Sequence, residues 1–472
     1  MDRTAAKTYR PWNPSLYAHE AHCPAAKLPE GDLVFFLLDS VPQLDLSRFY
    51  AHYEHETRGG PPFDPAMMVC LLLYSYCVGV FSSRKMALAC ERNLAFLAIV
   101  GQDRPDFRTI SDFRKLHLDA LADLFVQVLQ LAAAAGLVRL GNLAIDGTKI
   151  QGNASRHKAM SYGYMKKEAQ RLRAEIDSLL QQAQTQDADD DATLGSRRGD
   201  ELPDELKRRA DRLATILAAK QRLEELARAE ADAERQRRAE QEAERHRTGQ
   251  KRRGREPGPI VDTPDDKAQT NFTDPELKIM KTNNQGWDCC GNAQVSVDGA
   301  CQIIVSCDVV DAANDKQQAV PLAQAAQVNL EQAGITPPPN AHEHPPKIPL
   351  TTDSGYFSEQ AADELESMGF DPYMATGRQP HHAPESTAAE TPPAEATAKE
   401  QMAAKLRTPE GKAIYARRKA IVEPVFGQIK GARGFRRFLL RGLAKVRGEW
   451  HLVCLTHNLL KIWRYRCAPS GI

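Results

Sequence analysis

Two aspartates, Asp146 and Asp353, with a third acid from the basic carboxy-terminal stretch, where only Glu410, Glu423 and Glu449 are acidic, are the side chains of this 472-residue chain best suited to carry chemistry. Asp146 follows the apolar run Leu143-Ala144-Ile145 and precedes Gly147-Thr148-Lys149-Ile150, which reads as a buried β-strand ending in an acid. Asp353 closes a second such run, from Lys347 to Thr352. Glu423 stands in a basic stretch of helical character between Tyr415 and Lys430. Each aspartate has a plainer reading, because Asp-Gly and Thr-Asp-Ser-Gly are also turn sequences. Carboxylate and water oxygens are ligands that magnesium prefers to Cys or His. Phosphodiester chemistry needs an activated nucleophile and a stabilised leaving oxygen, and two Mg2+ ions about 3.5–4 Å apart supply both. Three acids with no Cys/His cluster fit that demand, with Mn2+ able to substitute.

Composition narrows the setting. Hydrophobic residues make up 42% of the chain, enough for a sizeable core, and the length predicts two or three domains. With 62 basic and 62 acidic residues the formal net charge is zero, so a polyanionic partner has to be met by a local surface. The 10 cysteines are scattered without a Cys-x-x-Cys pair; most read as small core residues in a reducing cytosol. No apolar signal segment opens the chain. The longest apolar run, Ala66 to Phe81, is broken by Ser75 and Gly79 and is too short to span a bilayer, so a soluble, cytoplasmic protein is expected.

The scaffold that must position the acids reads as follows. Residues 1–137 are helical, with a short helix around Leu33–Leu38. A second, apolar nearly all round, starts at Asp64-Pro65 and reaches about Gly79; a third spans Arg84 to about Asn93, and a fourth Thr109 to Ala135. This outlines a small DNA-binding helical region whose positive face is Arg84, Lys85, Arg92, Arg104, Arg108, Arg114 and Lys115; a plain bundle with solvated cations is the alternative. From Tyr164 to about Arg247 the leucine spacing predicts two long helices in an antiparallel, coiled-coil-like hairpin around an acidic break at Asp187–Gly199. The run Lys251-Arg252-Arg253-Gly254-Arg255 ends it, as a phosphate contact or a solvated linker.

Strand signals return at Ala293. Residues to Asp298-Gly299 and then Cys301–Val310 form a predicted hairpin, followed by an amphipathic helix over Asp315–Ala333. Proline-rich loops at Pro337–Pro339 and Pro345-Pro346 lead to the Asp353 strand, a helix from Ser358 to about Met368, and a short strand over Asp371–Ala375. Gly377 to about Glu400, including His381-His382, has the composition of a flexible segment. The last part is helical and basic: Ala403–Cys467 carries 16 Lys or Arg against 3 Asp or Glu, a net +13. Arg433, Arg436, Arg437 and Arg441, with Lys445 and Arg447, and interleaved with Phe435 and Phe438, suit a phosphate backbone; a solvated helix face is the alternative. In a continuous helix Lys430 lies two turns beyond Glu423 on the same face. Pro424 disfavours helical geometry at Glu423, which predicts a kink or a helix start there.

This order of elements is that of an RNase H-like α/β fold, a mixed sheet flanked by helices, in which acids ending the first and fourth strands lie side by side. The expected organisation is a helical DNA-binding region over 1–137, a catalytic core over 138–163 and 256–467, a helical-hairpin insertion over 164–255, and a flexible segment over 377–400. The motifs Arg58-Gly-Gly-Pro-Pro-Phe, Phe81-Ser-Ser-Arg-Lys, Asp106-Phe-Arg-Thr-Ile, Asp146-Gly-Thr-Lys, Asp353-Ser-Gly-Tyr and Val422-Glu-Pro-Val-Phe-Gly are present together. On these the chain resembles bacterial insertion-sequence transposases of the DDE type, in the branch with a Tyr/Arg/Glu/Lys signature around the third acid. The resemblance implies a metal-binding catalytic triad of Asp146, Asp353 and Glu423. It implies that Tyr415, Arg418 and Lys430 fill the other signature positions near the DNA ends; Lys149, from its own place three residues after Asp146, is a further expected DNA contact. The usual pattern places three residues between the signature Arg and Glu, whereas Arg418 and Glu423 are separated by four. It also implies cleavage and strand transfer at element ends, double-stranded DNA as partner, a homodimer on that DNA, and a nucleoid-associated location. The rival readings are a metal-dependent nuclease that cuts without joining, and a catalytically silent DNA-binding or assembly protein.

Overall fold

In a computed structural model of the chain, the residues described are 9–10, 12–13, 23–54, 60–194, 204–249, 258–282, 286–336, 347–377 and 396–468. Arg58, Gly59, the 251–255 basic run, the proline-rich loops, His381-His382 and most of the expected flexible segment lie outside them. The chain divides into two compact units, one formed by Met1–Asn153, Met280–Gly286 and Cys290–Ile472, the other by Ala154–Ile279 and Trp287–Cys289.

The first unit begins with helices α1 (Leu33–Ser40), α2 (Ser47–Ala51), α3 (Pro65–Cys77), α4 (Ser83–Arg92), α5 (Leu94–Val100), α6 (Phe107–Leu116) and α7 (Leu118–Ala134). Asp64 caps α3 as its type and the following proline predict, accepting from Ala66 N at 2.8 Å, and every residue of α3 is buried. The expected helix over 109–135 is two helices, since the chain turns at buried His117; α5 was not foreseen. No single helix among the described residues is long and apolar enough to cross a membrane.

β1 (Leu143–Gln151) sits inside a six-stranded mixed sheet. The other strands are β4 (Lys278–Lys281), β5 (Trp287–Asp298), β6 (Ile303–Val310), β7 (Ile348–Thr352) and β8 (Phe370–Met374), after the small second-unit strands β2 (Ala159–Ser161) and β3 (Gln269–Asn271). The order is β4-β5-β1-β7-β8, with β6 also on β5. β1 runs antiparallel to β5 over its whole length but parallel to β7 only at Leu143↔Leu350 and Ala144↔Thr351; β8 continues parallel to β7. Buried Asp298 fixes the approach to β1 by accepting from Leu140 N at 2.9 Å, which offsets the left-handed φ of +52° at that leucine.

After α10 (Ala319–Gln332) and α11 (Glu359–Ser367), the chain forms α12 (Ala398–Arg407), α13 (Pro409–Ala416), α14 (Arg418–Gly427), a π-helical turn over Gln428–Ala432 and α15 (Leu443–Cys467). A capping box between Thr397 and Glu400 starts α12, so Ala398–Glu400 are helical, not part of a flexible segment. α15 is the core helix, not a solvated basic face: its residues from Leu452 to Leu460 are all buried. It reads the sheet with polar side chains. Trp450 Nε1 donates to Gln294 O at 3.0 Å, and the Asn458 amide exchanges two bonds with the backbone of Ile304, at 2.8 and 2.9 Å. These lie beside a bulge in the β5–β6 ladder, where extra backbone groups need partners.

A buried chain of polar contacts joins the amino-terminal helices to α15. Arg114 donates to Tyr76 Oη and Phe81 O, each at 2.9 Å; Tyr76 donates to Glu449 at 3.0 Å; Glu449 accepts from Leu439 and Leu440 N at 2.8 and 3.1 Å. Arg114 therefore belongs to the core and not to the expected positive face, whose remaining members Arg84, Lys85, Arg92, Arg104, Arg108 and Lys115 are exposed. Phe435 and Phe438, expected among the phosphate contacts, are fully buried against Phe81 and Trp450.

In the second unit α8 (Tyr162–Leu194) and α9 (Asp204–Thr248) pack through Met165, Ala169, Leu172, Ile216 and Leu223. Ion pairs Arg209–Glu175 at 3.1 Å and Arg212–Glu168 at 3.2 Å cross between the two helices.

Gly79 has φ +80°, and a Cβ there would stand 2.5 Å from Arg433 O. Gly79→Ala is expected to destabilise the protein by about 1–3 kcal/mol from combined strain and clash, read as a lower Tm. An unchanged Tm would mean that this close approach is not kept in solution.

Candidate active site

Asp146 is the fourth residue of nine in β1, not its last. The Asp146-Gly147 step stays extended because the Gln294 side chain lies over Gly147, where a Cβ would come within 2.3 Å of Gln294 Nε2. What ends at this point is the partner strand. Carrying the β1–β7 register two residues past Ala144↔Thr351 brings Asp353 level with Asp146. Asp353 begins a tight turn, with its Oδ1 accepting from Gly355 N at 2.8 Å.

The two aspartates sense one another. Burial, helped by the neighbouring Asp353 charge, raises the Asp146 carboxyl to about 6 against the opposing pull of Arg418 and the Gly147 N–H. Arg418 Nη1 lies 3.1 Å from Asp146 Oδ2, with only 11% of its side chain exposed, and the opposing charges of Asp146, Tyr415 and Asp353 hold its guanidinium above the ordinary value despite burial. Half-buried Tyr415 has its phenol raised by burial, then by Asp353 and Asp146, with Arg418 opposing. Asp146, Asp353, Tyr415 and Arg418 thus form one group, and the longer Arg418–Glu423 spacing does not keep Arg418 out of it.

Glu423 is exposed on α14, whose Ile421, Val422 and Val425 are buried. Instead of a kink or helix start, Pro424 sits within the helix. Its missing N–H leaves the Ala420 carbonyl without an i→i−4 donor, and Gln302 Nε2 fills that place at 2.9 Å. Among the described residues no group of three or more His, Cys, Asp or Glu side chains is arranged to hold a metal ion. The π turn then interrupts the continuous helix expected as far as Lys430. Lys430 turns inward and donates to Thr148 Oγ1 and, at 2.9 Å, to Lys149 O.

The remaining cations separate by burial. Lys149, expected near DNA, points to the opposite face of the sheet from Asp146; its buried amine lies 4.0 Å from Asp315 Oδ1 and makes no hydrogen bond. Arg433, expected in the phosphate stripe, is buried and donates to Val453 O at 3.1 Å and Thr456 Oγ1 at 2.8 Å. A guanidinium so enclosed has no access to a phosphate. Arg436, Arg437 and Arg441 are exposed, with their Nε atoms tied to Lys430 O at 3.0 Å, Gln151 Oε1 at 3.1 Å and Asn153 O at 2.9 Å. They form a basic rim at the far end of β1. Sequence reasoning missed Asp315, read only as a helix start, and the polar set of Asn292, Gln294 and Tyr356 around it. The alternation of polar residues on one face of β5 was the available signal.

Asp146 supplies a pH test in the protein without bound cation. A folded carboxyl raised from 3.8 to about 6 contributes stability that is complete below about pH 4 and lost as the pH rises through about 6. Asp146→Asn removes that dependence. Relative to the parent protein its stability should rise as the pH goes from about 4 to about 6 and stay level above that, by at most about 3 kcal/mol and less where solvent reaches the carboxyl. Parallel stability profiles for the two proteins, measured by denaturant melts, would disprove the raised value.

Residues 381–463 match a family model described as Transposase DDE domain, and residues 22–116 match one described as Transposase domain (DUF772). The first match covers Tyr415, Arg418, Glu423 and Lys430 but neither Asp146 nor Asp353; the second covers α1 to α6. No curated protein and no solved structure matches the chain significantly. Two transposase models, matched near opposite ends of one polypeptide, support its identity as an insertion-sequence DDE transposase.

Proposed function

We propose that this transposase cleaves DNA at the ends of an insertion sequence and joins the freed 3′ ends to target DNA. The observation that carries the reading is the pairing of Asp146 with Asp353 at the point where β7 leaves β1. The strand order and directions support an RNase H-like core, since an antiparallel β1–β5–β6 set continued by parallel β7 and β8 is what that fold requires.

Asp146 and Asp353 fit a hard divalent cation. They offer only oxygen donors, and their mutual repulsion is of the kind that a cation relieves. Glu423 is the proposed third ligand. It lies on α14 between Arg418 and Lys430, both of which are anchored on β1. When bound, Mg2+ or Mn2+ ions activate the attacking oxygen and stabilise the leaving one. Arg418 holds Asp146 in place and offsets part of the negative charge that would otherwise repel a phosphate. Tyr415, beside Arg418 and both aspartates, bounds the same space. The exposed Arg436, Arg437 and Arg441 are the proposed backbone contacts, and the exposed cations of α4 and α6 extend the same role to the amino-terminal region. Water attacks first and leaves a 3′-hydroxyl on the element end; that hydroxyl then attacks a target phosphodiester. A dimer on DNA would hold both element ends together.

Strand-transfer assays on short element ends with Mg2+ test this reading. Joined product supports transposition. Cut ends without joining favour a nuclease, and binding alone favours a silent assembly protein. Asp146→Asn, Asp353→Asn and Glu423→Gln are each expected to lower cleavage by at least about a thousandfold while DNA affinity stays within about threefold. Full activity in any one of them removes that residue from the triad.

A further inference from the structure

Behind the aspartate pair, on the other face of the sheet, a buried polar relay ends at Asp353. Asp315 Oδ1 accepts from Asn292 Nδ2 at 2.6 Å and from Gln294 Nε2 at 2.7 Å. Gln294 Oε1 in turn accepts from the hydroxyl of fully buried Tyr356. Tyr356 N donates to Asp353 O at 3.3 Å, so the same tyrosine closes the turn that carries the Asp353 carboxylate. Asp315 also approaches that carboxylate from the side: a Cβ on Gly355 would lie 3.0 Å from Asp353 Oδ1 and 3.8 Å from Asp315 Oδ2.

The chemistry of the relay has a direction. An ionised carboxylate only accepts, so it forces the NH2 group of Gln294 to face it. The carbonyl end of Gln294 must then face Tyr356, whose hydroxyl must donate. An amide at position 315 could present either of its ends, and Gln294 could then turn over and leave Tyr356 without a fixed acceptor. Because Gln294 lies over Gly147, the relay also passes directly behind the Asp146 strand position.

We propose that Asp315 is a positioning residue of the active site: through Gln294 and Tyr356 it sets the orientation of the Asp353 turn. This rests on the reading of Asp146 and Asp353 as cation-binding acids. Asp315 itself need touch neither cation nor DNA.

Direct Mn2+ binding, measured by calorimetry on the full chain, tests it in the parent protein, Asp353→Asn, Asp315→Asn, Tyr356→Phe and the Asp315→Asn/Tyr356→Phe double variant. Asp353→Asn should lose binding. Asp315→Asn and Tyr356→Phe should each weaken it by about tenfold, and the double variant by no more than the stronger single effect, because both break one relay. The Mg2+ concentration for half-maximal cleavage should rise by a similar factor, while the rate at saturating Mg2+ stays within about twofold. Parent-like Mn2+ affinity in a folded Asp315→Asn overturns the proposal. If that variant does not fold, parent-like affinity in Tyr356→Phe, which loses a single oxygen, overturns it equally. Should Asp353→Asn bind as well as the parent, or the parent bind no Mn2+, the aspartate reading itself fails and the proposal falls with it.

Discussion

The register between β1 and β7 is the constraint on which the site depends. The two strands pair at Leu143↔Leu350 and Ala144↔Thr351, β7 ends at Thr352, and the same register carried forward sets Asp353 level with Asp146. Beyond the end of β7, β1 continues, still paired with β5 on its other side. Burial without full enclosure raises the Asp146 carboxyl and leaves room for a partner of opposite charge.

Around that gap the cations divide by task. Arg418 neutralises Asp146, while Lys430 and Arg433 use their charges on carbonyl and hydroxyl oxygens of β1 and α15. Burying a cation is costly unless donors find partners, and these side chains direct most of theirs to the scaffold, so they serve the architecture. Arg436, Arg437 and Arg441 keep exposed guanidiniums, and the buried Arg114–Tyr76–Glu449 chain holds the loop that bears them against the amino-terminal helices. The net +13 of the carboxy-terminal region thus overstates the surface available to a polyanion.

Much of the scaffold was legible beforehand because local physics dictated it. The Asp64-Pro65 start of α3, the Asp353 strand and the Ser358 cap of α11 lie where their residue types place them. Errors arose where tertiary contacts outweigh local preference. Gly147 continues a strand because a glutamine side chain covers it, Pro424 stays inside a helix because Gln302 satisfies the carbonyl it orphans, and His117 breaks a helix whose apolar pattern runs on.

By itself the sequence determined which segments become most of the strands and helices, and the family they resemble, because residue type and periodicity act over a few neighbours. Only the tertiary structure decided that Arg418 joins the aspartates, that Lys149 faces Asp315, and that Arg433 belongs to the core. The physical reason is that a side chain's charge has the same identity in the chain whether it is solvated or enclosed. Its free energy, and so its role, depends on partners brought from hundreds of residues away.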